Sequence, residues 1–89
     1  MAFGRVLRRL RTEAGLTQEE LGFEADLRRA FVSVLELGHQ QPTLTTILKL
    51  AKALKRSAQD IIGLVEAEMH RSDRRISAST NPMMSWAER

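Results

Sequence analysis

The chain contains no cysteine, only two prolines and four aromatic residues, three Phe and one Trp. Without cysteine there is neither a disulfide framework nor a thiolate metal site, which fits a reducing cytoplasm. No uncharged run is long enough to span a bilayer. The start, Met1-Ala2-Phe3-Gly4-Arg5, does not read as a signal peptide, because Arg5, Arg8, Arg9 and Arg11 interrupt any apolar core. No internal repeat and no glycine-rich phosphate loop is present. The two histidines, His39 and His70, are far apart and lack metal-ligand spacing. Carboxylates are plentiful but fall at helix starts and on polar faces. With no catalytic constellation, the expectation is a cytoplasmic binding protein, not an enzyme, with no membrane contact, metal or cofactor.

What is present is basic and helical. Eighty-nine residues make one small domain with a thin core, to which self-association would add stability. The net charge is +3, unevenly spread: residues 1–56 hold ten Lys/Arg against six Asp/Glu, and residues 57–89 hold four against five. A basic front and a near-neutral back suit one surface for a polyanion and another for a different contact.

Phe3, Val6, Leu7, Leu10 and Ala14 follow helical spacing, and Gly15 stops that helix. Arg5, Arg8 and Arg9 fall largely off its stripe, as a solvated face. The stretch Leu16 to Pro42 then organises the chain. Thr17 and Glu20 make a capping box, so a helix begins near Gln18, with Glu19 and Glu20 at its dipole-favoured end. Leu21 and Ala25 share one face. Ala25-Asp26-Leu27 is a tight turn. A second helix opens on Arg28-Arg29, points Val32 and Leu35 inward and ends at Gly38, a residue able to take positive φ. Two short helices joined by a tight turn have the form of a helix-turn-helix reader of the major groove.

Beyond Pro42, Thr43 is an N-cap for Leu44, Ile47, Leu48, Ala51 and Leu54 at helical spacing. Lys49, Lys52, Lys55 and Arg56 load the other face. Ser57 caps a fifth helix in which Ile61, Ile62, Leu64, Val65 and Met69 spread over a wide arc. One small domain cannot cover all of that arc, so a partner surface is expected. From Arg71 the serine-rich composition reads as a tail, 71–89, whose only anchors are Met83, Met84 and Trp86. Residues 1–70 are read as the domain.

The run TQEEL, Ala25-Asp26-Leu27, Phe31-Val32-Ser33, Glu36-x-Gly38 and Pro42 resembles the Cro/XRE-type helix-turn-helix family, to which phage repressors and the controller proteins of restriction-modification systems belong. The likeness covers roughly Phe3 to Ile62 and implies an all-α, compact five-helix domain of the phage-repressor type, followed here by the tail. It implies that Gln18 meets a phosphate, as a helix N-terminus also favours. It implies that Arg29 reads a base edge with Ala30 beside it. Arg28 begins the same groove-entering helix, and an arginine fork matches guanine O6 and N7. Val34 matches a place for a thymine methyl, and Ser33 is a weaker candidate. Gln40 and Thr43 fall in the loop that relatives use for phosphates, where His39 is read as a bystander. Phe31 either covers the sugar-phosphate backbone or extends the core. Arg11 and Glu36 match an ion pair that ties the first helix to the end of the third.

Three positions depart from the family pattern: Arg28 replaces a capping side chain, Asp26 a turn glycine, and Leu37 a polar residue. The expected function is a sequence-specific, duplex-DNA-binding transcriptional regulator, a homodimer on an inverted-repeat operator through Ile61, Ile62, Val65 and Met69. Of these, Ile61 and Val65 share one face while Ile62 and Met69 turn toward another, so one face should be left over. The competing expectation is an antitoxin or other protein-interaction module built on the same fold.

Overall fold

A computed structural model describes residues 2–76, and side chains as far as Arg71. Met83, Met84 and Trp86, named above as anchors of the tail, lie outside the described residues. Five helices follow in order among the described residues: α1 Ala2–Glu13, α2 Gln18–Ala25, α3 Arg29–Leu37, α4 Leu44–Leu54 and α5 Ala58–Ile76. Each predicted punctuation mark is found. Thr17 closes both halves of the capping box on α2, accepting from the Glu20 N–H at 3.0 Å while the Glu20 carboxylate accepts the Thr17 N–H at 2.8 Å. Thr43 caps α4 by accepting the Thr46 N–H at 3.2 Å, and Ser57 accepts the Asp60 N–H at 3.0 Å at the start of α5. Such caps are each worth about 1 kcal/mol.

One core joins all five helices. Val6, Leu7 and Leu10 of α1, Leu21 and Ala25 of α2, Val32 and Leu35 of α3, Leu50 and Ala51 of α4, and Ile61 of α5 are buried together. Burying a side chain of Leu size contributes roughly 1.5–3 kcal/mol, so this cluster is the main source of stability. The apolar stripe of α4 is rotated from the expected one. Leu50 is fully buried, while Leu44 and Leu48 lie exposed. The apolar positions of α4 span more than its contact arc, and α2 and α5, which pack on it, select Leu50, Ala51 and Leu54.

The turn between α2 and α3 is set by a close approach. A Cβ on Gly22 would stand 2.7 Å from the carbonyl oxygen of Leu27, the same oxygen-bearing segment whose Leu27 N–H donates back to the Gly22 carbonyl at 2.7 Å. Only glycine lets the chain double back so tightly. Asp26, at the C-cap of α2, takes the left-handed conformation with φ 57° that the family pattern usually assigns to glycine. Arg28 is the N-cap of α3 and makes no side-chain cap hydrogen bond, as its departure from Ser, Thr or Asn implied. At the far end, α5 continues past residue 70 to Ile76, because serine and charged residues weaken a helix without stopping it and no Gly or Pro intervenes.

Candidate nucleic-acid interface

Helix α3 presents one side to the core and the other to solvent. Val32 and Leu35 are fully buried. At 100° per residue, Ala30, Ser33, Val34 and Leu37 fall within an arc of about 100° on the opposite side, with Arg29 about 40° beyond it. Arg28, Arg29, Ala30 and Leu37 are exposed, and Ser33 and Val34 are half-buried. The predicted reading residues are therefore brought together on one accessible face. Phe31 is half-buried and packs against the core cluster, so it extends the core while leaving part of its ring open to solvent.

The charges on this face are unengaged. Arg28 and Arg29 make no ion pair among the described residues, whereas Arg5 pairs with Glu68 at 3.0 Å and Arg56 with Asp60 at 2.7 Å. Two unpaired guanidiniums at the start of a helix, beside a surface free of carboxylates on α3 except Glu36, give a local positive potential.

Glu36 belongs to a different arrangement. Its carboxylate accepts from Arg11 through both the guanidinium Nε and Nη2, the latter at 3.2 Å, in a bidentate pair that is nearly buried. Arg11 Nη1 also donates to the Leu16 carbonyl at 2.9 Å. These bonds to Glu36 hold the Arg11 pKa above its ordinary value, burial acting in the opposite sense. The pair thus ties α1, the α1–α2 loop and α3 into one frame. Gln18 joins that frame: its amide Nε2 donates to Glu36 Oε1 at 3.1 Å. A side chain expected to meet phosphate is accordingly held from behind by the ion pair, leaving its second amide proton for another acceptor. The family resemblance implied a scaffold role for Arg11 and Glu36; their hold on Gln18 was not visible from the sequence.

In the following loop, Gln40 is exposed, and Thr43, though exposed, uses its oxygen as the cap of α4. Thr43 hydroxyl also lies 3.1 Å from that of Thr46. It is a helix-starting residue first, able to add only a hydroxyl proton to a neighbour.

The four residues expected to join two copies divide in two. Ile61 is 2% exposed and belongs to the monomer core, which corrects its inclusion; Val65 is half-buried against that core. Ile62 and Met69 are the outward face, 41% and 53% exposed. Leu44 and Leu48, one turn apart on α4, are exposed as well and were not singled out by the periodicity, which gave them to the core. Among the described residues no group of His, Cys, Asp or Glu is placed to hold a metal ion, and no helix is long and apolar enough to cross a membrane.

Comparison with known proteins agrees with this geometry. A family profile described as "Helix-turn-helix" matches residues 7–61. The chain is 35% identical over 63 residues to the control protein C.BamHI of Bacillus amyloliquefaciens, covering 70% of this chain and 78% of that one. Among solved structures it is similar to the restriction-modification controller protein C.AhdI of Aeromonas hydrophila, with 43% identity, TM-score 0.66, and coverage of 67% of this chain and 91% of that one. It also resembles the clp gene regulator ClgR of Corynebacterium glutamicum, at 26% identity and TM-score 0.72 over 76% of this chain and 88% of the other. With its tight turn, its two short helices and the Arg11–Glu36 ion pair all lying within the matched residues 7–61, the chain belongs to the Cro/XRE-type helix-turn-helix family of transcriptional regulators.

Proposed function

We propose that this protein is a sequence-specific transcriptional regulator of the restriction-modification controller or phage-repressor kind, acting in the cytoplasm as a homodimer on an inverted-repeat operator. The observation that carries the reading is the solvent-facing side of α3, with two unpaired arginines at its start and small side chains behind them. In that reading the N-terminal end of α3 enters the major groove. Arg29 reads a guanine, Arg28 adds charge, Val34 meets a thymine methyl, and Gln18, Gln40 and Thr43 fix the register on phosphates. A single copy covers only a few base pairs, so specificity calls for two. Ile62 and Met69 on α5 are the contact we assign to the second copy, and a two-fold axis there would set the recognition helices about one DNA turn, roughly 34–36 Å, apart.

The test is selection of bound sequences from random duplex DNA with the stoichiometry measured by sedimentation. The expected result is a motif with dyad symmetry bound by two copies, and Ile62→Asp should give a folded monomer with much weaker binding. Recovery of no motif, together with an affinity indifferent to salt, would remove the DNA reading. A symmetric motif bound by one copy would remove the dimer alone.

A further inference from the structure

On α2 the core contacts are made by Leu21 and Ala25, one turn apart. Phe23 lies between them in sequence and so is turned to the opposite side. It is 84% exposed, more than any other large apolar side chain among the described residues. A phenylalanine left this open in a chain with three of them asks for an occupant.

Phe23 does not stand alone. It lines a groove of about 630 Å³ between α2 and α4, whose apolar lining includes Leu16, Ala53 and Leu54. Glu19, Glu20 and Glu24 lie along the same groove with one cation, Lys55. The Glu20 carboxylate is committed to the capping box. Glu19 and Glu24 make no ion pair or hydrogen bond among the described residues. On a protein of net charge +3, this groove is therefore a local acidic, apolar feature. It repels nucleic acid and contrasts with the outward face of α5, where Ile62 and Met69 suit a second copy.

We propose that the α2–α4 groove docks a cationic amphipathic segment of a partner protein. An apolar side chain of that segment packs on Phe23 and into Leu16, Ala53 and Leu54, and flanking Lys or Arg residues meet Glu19 and Glu24. An exposed aromatic ring offers both apolar area and a face for a neighbouring cation, and a central apolar anchor inside a charged rim is the usual energetic form of such contacts. The proposal is independent of the DNA reading, since none of the α3 residues assigned to DNA lines the groove.

The experiment is an anisotropy titration of the full chain, without DNA, using a fluorescein-labelled peptide of leucines at helical spacing flanked by lysines. A second probe carries glutamates in place of the lysines. The lysine probe should bind saturably and the glutamate probe should not. Phe23→Ser, at a position open to solvent, should leave thermal melting unchanged and weaken the lysine probe at least tenfold. Glu19→Lys with Glu24→Lys should transfer the preference to the glutamate probe. Equal binding of both probes, or binding untouched by Phe23→Ser, would overturn the proposal. So would loss of self-association in Phe23→Ser, which assigns the groove to a second copy. A tenfold gain in probe affinity on removing residues 77–89 would assign it to the chain's own terminal segment and overturn the partner as well. Operator binding by Phe23→Ser should match the unaltered protein, so failure of either reading leaves the other standing.

Discussion

Arg11 and Arg29 are the same residue in opposite circumstances. Arg11 is nearly buried, bidentate to Glu36 and bonded to the Leu16 carbonyl. Arg29 is exposed, and nothing among the described residues pairs with it. A guanidinium enclosed with its carboxylate contributes to one arrangement of helices, and its charge is cancelled on the spot. A guanidinium left open contributes nothing to the fold and keeps its charge and its fork for a ligand. The difference teaches where stability ends and recognition begins in this molecule, and Gln18, bonded to Glu36 and half-buried on the first turn of α2, sits on the boundary.

The largest expected effect breaks the buried side of that comparison. Glu36→Ala strands Arg11, and removing one partner of a buried pair costs roughly 3–5 kcal/mol. Melting should fall sharply in calorimetry. Because the raised pKa of Arg11 lies above the ordinary arginine value, its contribution is fully present below that value and is lost only as pH rises through the still higher folded one. Across the neutral range the gap in melting between the two proteins should therefore not change with pH. DNA affinity should drop by more than the folded fraction accounts for, since Gln18 loses its acceptor. Unchanged melting would show that the pair is not formed.

The exposed side is broken by Arg29→Ala. Melting should stay within experimental scatter, and the cost should appear on DNA, about 1–3 kcal/mol on the preferred site with relaxed preference at one base pair in each half-site. Gln18→Ala should instead weaken all sequences alike, the mark of a phosphate contact. A selected motif that survives Arg29→Ala intact would move the reading role to another residue of α3.

The two sides were not equally legible in the sequence. Caps and turns were, because each rests on local chemistry: Thr17 with Glu20, Thr43, Ser57 and Gly38 need only their neighbours to act. The Arg11–Glu36 pair came from resemblance, since nothing local links residues 25 positions apart. What escaped was whatever depends on how wide a contact arc tertiary packing selects. Leu44 and Leu48 fit helical spacing as well as Leu50 does, yet α4 turns Leu50 inward. Ile61 and Ile62 are adjacent and equally apolar, and only the packing of α5 decides that Ile61 fills the core. Phe23 was legible in principle, being off the Leu21–Ala25 face, but an outlying aromatic says nothing of the groove beside it until α4 is in place.

Arg28 carries both roles at once and so sharpens the comparison. It occupies the N-cap of α3 without capping it. Arg28→Ser supplies the missing acceptor for an N–H of the first turn and should raise stability by about 1 kcal/mol. It also removes a cation from the end of the helix assigned to the groove. If that arginine neutralises a phosphate, the slope of log K against log salt should become shallower by about 0.9. Higher melting with an unchanged salt slope would show that Arg28 reaches no phosphate.

The smallest effect is expected at Asp26, where the turn itself meets the charge pattern. Its φ of 57° is left-handed, tolerated by aspartate and free for glycine. Its carboxylate is 96% exposed, and its nearest cation is the Lys49 ammonium at 3.9 Å, an exposed pair that solvent screens and that contributes little. Asp26→Gly therefore removes a small backbone penalty and adds unfolded-chain entropy, terms of opposite sign that should leave a net gain of about 0.5 kcal/mol or less. The larger consequence is electrostatic. The turn leads directly into Arg28, and net charge rises from +3 to +4 when the carboxylate goes. DNA affinity should rise several-fold at low salt for operator and random duplex alike, and the gain should shrink as salt screens the field. A gain confined to the operator would mean instead that Asp26 sets the pose of α3, and the turn would then belong with the residues that read sequence.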